Sequence, residues 1–365
     1  MNKIGVVGIG RLGLCFALNA EDVGYEVYGI DVDENLVKRL KAKQLITSEP
    51  SVSDYLKKST RFFPTTSYEI IIHQDIKFIY IMVPTPSEID GAFSHNYIDD
   101  CINKILALGI PKDKKHLVIG STTMPGYCEK LAEKLVDFNY TVSYNPEFIA
   151  QGSIIHDQQY PDQILIGEGD TNTTAKLREI YSKICRSSPE FLVMDRTSAE
   201  ITKLATNCFL TMKISFANAI GDLSTKMNAN PDLVLNAIGS DSRIGKKYLK
   251  YGYGFGGPCF PRDNQALQFA AKKAEYPLML SESTVQVNQL HLEFQFQKLM
   301  KKDLDVYYFE SVTYKPSTDI LEESQQLLLA VKLVEAGKRV MIKNNLHVQH
   351  ILEEKYPNYF EFSDL

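Results

Sequence analysis

Apolar positions fall into two alternating patterns along most of this chain. Short runs rich in Val and Ile read as strands, and stretches with apolar residues three and four apart read as helices. Lys3–Val7 is an apolar strand, a helical stretch follows through Ala20, and Glu26–Ile30 is a second strand. Further strands are predicted at residues 75–83, 116–119, 140–144, 164–167 and 191–194, with helical stretches at 97–108, 125–135 and 173–185 between them. Strands alternating with helices in this way predict a mostly parallel sheet. A long helix is predicted from Ser198, with a capping pattern at its start. It runs without Gly or Pro to Ala219, and the pattern carries on to Met227. Pro231 starts another helix, and residues 264–274 look helical with Asp263 as their N-cap. A strand at 304–310, a helix at 322–336 and a strand at Arg339–Ile342 close the pattern.

Length and composition narrow the class. At 365 residues the chain is too long for one typical domain, and two or three are expected. Apolar residues make up 44% and charged residues 23%, a globular composition able to bury sizeable cores. The net charge of −5 is spread along the chain, and no basic block suggests nucleic acid or an anionic membrane surface. No apolar run is long enough to span a membrane, and a strand beginning at Lys3 leaves no room for a signal peptide. Cysteines 15, 101, 128, 185, 208 and 259 form no CxxC pair and no metal-ligand spacing. Reduced thiols, a cytoplasmic location and no metal site are therefore expected.

Candidate chemistry sits where the pattern breaks. Gly8-Ile-Gly10-Arg-Leu-Gly13 lies between a strand and a helix, and the next strand ends at Asp31. Glycines there form a tight turn and let backbone amides approach a pyrophosphate, the helix N-terminus favours its charge, and the acid can bond ribose hydroxyls. This predicts a Rossmann-like NAD site, the alternative being a tight glycine turn in some other α/β protein. Thr85, Thr122 and Glu147 follow three later strands, so they face one crevice if the sheet is parallel; each taken alone also suits a turn or a cap. Lys203 and Asn207 are four apart on the long helix and share a face, either aimed at a reacting oxygen or as a solvated lysine beside a capping amide. Tyr251-Gly-Tyr-Gly-Phe-Gly-Gly-Pro-Cys259-Phe-Pro-Arg-Asp263 places a thiol in a glycine-rich loop ahead of a helix. Cys259 is then a nucleophile or a small buried hydrophobe.

Together these segments resemble the UDP-glucose/GDP-mannose dehydrogenase family over residues 1 to about 340. The resemblance rests on Gly8–Gly13 with Asp31-Val-Asp33, Val83-Pro-Thr-Pro86, Ser121-Thr122, Asn145-Pro-Glu147-Phe, and Glu200 through Asn207 with Lys213-Ile-Ser-Phe216. It extends through Asp241-Ser-Arg243-Ile-Gly, Phe255-Gly-Gly-Pro-Cys259-Phe-Pro-Arg-Asp263 and Tyr314-Lys315-Pro-Ser-Thr-Asp319. It implies NAD-dependent oxidation of a nucleotide sugar's CH₂OH to a carboxylate through Cys259. Lys203 and Asn207 would stabilise the oxyanion, and Thr122, Glu147 and Asp263 would hold water and move protons. It implies NAD contacts at Gly8, Gly10, Arg11, Leu12, Gly13, Asp31, Val83, Pro84, Thr85 and Thr122. Substrate contacts would come from Glu147, Phe148, Gln151, Lys203, Asn207, Arg243, Tyr248, Phe255, Gly256 and Lys315. Arg243 in the family reaches the partner's substrate, which implies a homodimer.

The implied architecture is an α/β fold: an NAD-binding domain at 1–195, a long connecting helix within a central helical dimerisation domain at 196–300, and an abbreviated sugar-nucleotide-binding α/β domain at 301–365. The chain departs from the family pattern at Leu36, Gly120, Gln151, Glu322 and Asn344-Asn345, and it stops at Leu365 before the family's further strands. Glu322 stands where an Arg usually meets the cofactor pyrophosphate, so a repulsion is expected there. UDP-glucose is the expected substrate. UDP-N-acetylmannosamine, UDP-N-acetylglucosamine and GDP-mannose are alternatives, as are a two-electron hydroxyacid dehydrogenase and a non-catalytic sugar-nucleotide binder.

Overall fold

A computed structural model describes residues 3–149, 151–315, 318–343 and 345–363. The chain divides into two compact units, Met1–Lys203 and Leu204–Leu365. The first contains β1 (Lys3–Val7), α1 (Arg11–Asp22), β2 (Glu26–Ile30), α2 (Glu34–Lys41), α3 (Val52–Lys58), β3 (Phe62–Thr65), α4 (Ile70–His73) and β4 (Phe78–Ile81). It continues with α5 (Asn96–Leu106), β5 (Lys115–Ile119), α6 (Tyr127–Leu135), a 3₁₀ turn, β6 (Tyr140–Tyr144), α7 (Ile154–Gln159), β7 (Gln163–Gly167), α8 (Thr171–Ile184) and β8 (Glu190–Met194). The 31-residue α9 (Arg196–Lys226) begins in this unit and continues into the second. There α10 (Pro231–Gly239), α11 (Phe260–Lys273) and α12 (Met279–Met300) precede β9 (Val306–Phe309), α13 (Gln325–Glu335), β10 (Arg339–Ile342), α14 (Leu346–Lys355) and β11 (Glu361–Phe362).

The eight-stranded sheet has the order β3-β2-β1-β4-β5-β6-β7-β8 and is parallel except where β7 runs antiparallel to β6. Its order reverses between β1 and β4, the place where such sheets bind ligands. Register brings the carboxyl ends level: Val7 pairs with both Ile30 and Ile81, Ile81 with Ile119, and Ile119 with Tyr144. The residues that follow these strands therefore leave one edge together. Helices cover both faces, which is why the strands are apolar almost throughout rather than alternating. Ile4 and Val6 pack with Phe16 and Leu18 of α1, and Val7, Ile79 and Ile81 with Ile98 and Ile102 of α5. Each such fully buried side chain contributes about 1.5–3 kcal/mol.

In the second unit β9, β10 and β11 form a parallel sheet in the order β11-β10-β9. Tyr307, Phe309, Leu329, Leu333, Val340 and Leu352 are its core, and Leu292, Phe296 and Leu299 of α12 pack against them. Among the described residues no helix is long and apolar enough to cross a membrane. The predicted helix at 322–336 starts later because the Ser324 side chain accepts from the Leu327 amide and caps it. The helix predicted from residue 264 starts earlier, at Phe260, with Pro261 in its first turn. Asp263 is therefore not its N-cap; Cys259 holds that position. The departure at Asn344, the chain end at 364–365 and Pro316-Ser317 of the 314–319 motif lie outside the described residues.

Candidate active site

The first unit carries the dinucleotide turn. Gly8 has φ +86°, and a Cβ there would meet the Met82 carbonyl at 2.6 Å. A Cβ at Gly13 would lie 2.0 Å from the Gly8 carbonyl oxygen, so this glycine lets α1 seat against β1. Gly10 differs: nothing lies within 4 Å of where its Cβ would be. It is the N-cap of α1 and makes no side-chain cap bond, so the glycine faces open space at a helix N-terminus. Asp31 holds the same corner, its Oδ2 accepting from the Ile9 amide at 3.0 Å and its Oδ1 from the Asp33 amide at 3.1 Å. These residues fit a dinucleotide: amides and a bare glycine for the pyrophosphate, and a carboxylate one strand away for the ribose. Arg11 opens α1 and donates to Gln151 Oε1 at 2.6 Å, so the amide that replaces the family's usual Glu still engages this arginine.

The loops after β4, β5 and β6 bring further predicted residues to the same edge. Thr85 is buried and Val83 packs against the sheet core. Ser121 ties the loop after β5 to the one after β4, donating to the Val83 carbonyl at 2.7 Å, and Thr122 follows it, half-buried. Gly120 is squeezed by Met82, whose side chain a Cβ would meet at 3.1 Å, a local reason for the absence of the usual lysine or arginine. Glu147 and Phe148 follow β6. Lys203 is buried, donates to the Glu147 carbonyl at 2.8 Å and lies 4.7 Å over the Phe148 ring. Desolvation pushes the Glu147 carboxyl up to about 7, against the nearby Lys203 charge and a Gln158 hydrogen bond at 3.3 Å, both of which pull it down.

Sequence reading missed what holds these loops. Glu200 is fully buried on α9, one turn before Lys203. It accepts from Thr123 Oγ1 at 2.8 Å, the Gly126 amide at 2.6 Å and the Cys128 amide at 2.9 Å. It thereby caps α6 from a distant element and pins the loop that carries Thr122. His95 accepts from the Met124 amide at 3.1 Å and stacks on Tyr127 at 3.9 Å. Burial pushes its imidazole down to about 4, which keeps it neutral and able to accept.

The second unit carries the thiol. Of the six cysteines, Cys259 is exposed, Cys185 is half-buried and the rest are buried. Burial pushes the thiols of Cys15 and Cys208 up to about 12 and that of Cys185 up to about 11. Cys259 instead heads α11, whose first-turn amides favour an anion. Asp263, one turn on, is buried and accepts from Asn207 Nδ2 at 2.5 Å; Cys208 also approaches its carbonyl. The glycines ahead of Cys259 are required locally. A Cβ at Gly256 would sit 2.0 Å from the Glu323 carbonyl, and Gly257 has φ +81° beneath the Tyr314 ring. Gly257 donates to the Glu322 carbonyl at 3.1 Å while the Glu322 side chain is exposed, so this residue holds the loop through its backbone.

Other predicted contacts in this unit vary. Phe255 is buried, whereas Tyr248 is exposed at φ +62°. Arg243 is exposed and forked onto Asp241 at 2.6 and 3.0 Å. Lys315 accepts at its carbonyl from Thr313 and Thr318. Among the described residues no group of His, Cys, Asp and Glu could hold a metal ion.

The sheet, its switch point and the glycine turn with Asp31 define a dinucleotide-binding α/β protein, and the comparisons make the class specific. Residues 2–185 match the NAD binding domain of the UDP-glucose/GDP-mannose dehydrogenase family, and residues 197–290 match its central domain. UDP-glucose 6-dehydrogenase YwqF of Bacillus subtilis is 30% identical over 368 residues, 96% of this chain and 82% of that protein. UDP-glucose 6-dehydrogenase of Rickettsia typhi is 31% identical over 93% of this chain and 80% of its own length. A UDP-glucose dehydrogenase structure from the hyperthermophilic archaeon Pyrobaculum islandicum superposes with TM-score 0.90 at 28% identity, covering all of this chain and 86% of that one. The chain belongs to the UDP-glucose/GDP-mannose dehydrogenase family and is an NAD-dependent nucleotide-sugar dehydrogenase.

Proposed function

We propose that this enzyme oxidises UDP-glucose to UDP-glucuronate through a covalent intermediate on Cys259. The observation that carries this reading is that Cys259 is exposed at a helix N-terminus while the other five cysteines are buried or half-buried. Two NAD⁺, held in turn by the Gly8–Gly13 turn and Asp31, would supply the hydride acceptor for the two oxidations. The first removes a hydride from C6 while the hydroxyl proton passes to a carboxylate of the site, leaving an aldehyde. The Cys259 thiolate then adds to the aldehyde carbon. A C–S bond forms and the carbonyl π pair moves to oxygen, whose charge Lys203 and Asn207 stabilise. Loss of the second hydride leaves a thioester. Water adds to it, its proton passes to a carboxylate, the C–S bond breaks, and thiolate and carboxylic acid are released. Glu147, half-ionised near pH 7, suits that proton transfer, with Thr122 and Asp263 holding the water.

Gly8, Gly10, Arg11, Leu12, Gly13, Asp31, Val83, Pro84, Thr85 and Thr122 would hold NAD. Phe148, Gln151, Tyr248, Phe255, Gly256 and Lys315 would hold the UDP-sugar. The domain bounds at 195 and 300, a cytoplasmic location and a homodimer with Arg243 reaching its partner's site belong to the same reading. The dimer is supported by an exposed apolar stripe on α9 formed by Phe209, Phe216 and Leu223. The test of substrate is NADH release with UDP-glucose, UDP-N-acetylmannosamine, UDP-N-acetylglucosamine and GDP-mannose. UDP-glucose is expected to give the highest kcat/KM. A higher value for any other sugar would reassign the substrate, and no NADH from any would favour a non-catalytic binder.

A further inference from the structure

The loop that carries Cys259 is held at its start by side chains from two helices. Asn218 of α9 accepts from the Gly252 amide at 3.0 Å and donates to the Tyr253 carbonyl at 3.2 Å. Asn288 of α12 does the same for the amide and carbonyl of Phe255, at 2.9 and 3.0 Å. The Gly252 carbonyl faces Gln295 Nε2 at 3.0 Å and His291 Nε2 at 2.7 Å. The other nitrogen of His291 lies 2.8 Å from Asp222 Oδ2, and Asp222 Oδ1 accepts from the Tyr251 hydroxyl at 2.8 Å. The ring is 1% exposed. Tyr251 packs on its edge at 5.7 Å, and Lys298 lies 5.9 Å over the far Tyr251 ring, so Asp222 is the charge in direct contact with the imidazole among the described residues.

Both ring nitrogens thus face oxygen acceptors. Each contact is short enough to need a hydrogen, and a neutral imidazole carries only one. An unprotonated nitrogen against either oxygen would be a buried acceptor–acceptor contact, which costs more than a missing bond. We propose that Asp222 and His291 are a positioning pair for the catalytic loop. The pair holds two protons on the ring, donates to Asp222 and to the Gly252 carbonyl together, and so fixes the segment leading to Cys259. Its importance for catalysis rests on the reading of Cys259 as nucleophile. The geometry does not, and the test uses no turnover.

The test has two arms. In ¹⁵N spectra of the folded enzyme at pH 8, where exposed histidines are neutral, the His291 ring is expected to show both nitrogens protonated. The signal is assigned as the one lost in His291→Gln, and a single-proton tautomer would overturn the proposal. The second arm is iodoacetamide alkylation of Cys259 at one fixed pH, read by peptide mass spectrometry. Asp222→Asn offers an amide that donates to Nδ1 and still accepts from Tyr251, so the contacts survive with a neutral ring. Its alkylation rate should stay within about twofold of wild type. His291→Leu removes both donations and should change the rate about fivefold or more, the scale of one net hydrogen bond. His291→Gln, whose amide can reach Gly252, should recover part of that change. Equal rates in wild type and folded His291→Leu would overturn the proposal, and if His291→Leu does not fold the ring spectrum decides. A failure of the reaction scheme would show instead as altered products with both arms unchanged.

Discussion

Gly10 and Gly13 stand in one turn and have different physical reasons to lack a side chain. Gly13→Ala would put a methyl 2.0 Å from a backbone oxygen of the same chain. It should cost at least about 1–3 kcal/mol of stability, measured by urea unfolding. Gly10→Ala meets no protein atom, so its melting temperature should match wild type while NAD⁺ binding, followed by calorimetry, weakens by tenfold or more. Unchanged binding in Gly10→Ala would remove that glycine from the cofactor site.

Glu147 makes a pH prediction with a definite sign. Its carboxyl lies at about 7 in the folded chain against an ordinary 4.5. A raised carboxyl pKa means the folded state prefers the protonated form. That contribution to stability is complete below about pH 4.5 and is lost as pH rises towards 7. Glu147→Gln cannot titrate, so its stability relative to wild type should improve between pH 4.5 and 7, and a flat difference would contradict the assignment. As a base, Glu147 should also give kcat/KM a rise with pH centred near 7 that Glu147→Gln lacks.

At the scale of elements, α9 does more than connect. Its first turns bind the loop after β5 through Glu200 and the loop after β6 through Lys203. Glu200→Leu would leave the Gly126 and Cys128 amides and the Thr123 hydroxyl without this acceptor. At about 1–3 kcal/mol for each unsatisfied buried group, a loss of about 3 kcal/mol or more is expected in urea unfolding. A loss under 1 kcal/mol would show that the loop is held otherwise.

The same elements mark what sequence could and could not disclose. β1, the glycine turn, α1, β2 and Asp31 were legible because strand, turn and helix are set by neighbours in the chain. The role of Glu200, which sequence marked only as the start of a motif, and those of Asn288 and His291 were not, since the groups they hold lie tens of residues away. The start of α11 was misplaced because Cys259-Phe-Pro261 reads as loop, although proline is well tolerated in a first helical turn. The helix α12 was missed: its apolar residues are spread around it, because Leu292, Phe296 and Leu299 pack on the small C-terminal sheet while Ser281, Thr284 and Asn288 bury polar groups elsewhere.

At the scale of the molecule, the proposed dimer draws on the stripe of Phe209, Phe216 and Leu223, spaced by seven along α9 and 57%, 48% and 52% exposed. Large apolar side chains at coiled-coil spacing suit packing against a second helix. Phe216→Glu should shift the enzyme from dimer to monomer in light scattering after gel filtration, and an unchanged mass would place the interface elsewhere.

The division of labour between a dinucleotide unit and a thiol-bearing unit matters only if both act in one four-electron reaction. The direct measurement is the ratio of NADH formed to UDP-glucose consumed, with Cys259→Ser as control. The account predicts two NADH per sugar and UDP-glucuronate from wild type, and Cys259→Ser should fail to turn over to the acid. One NADH per sugar with free aldehyde, or full turnover by Cys259→Ser, would contradict it.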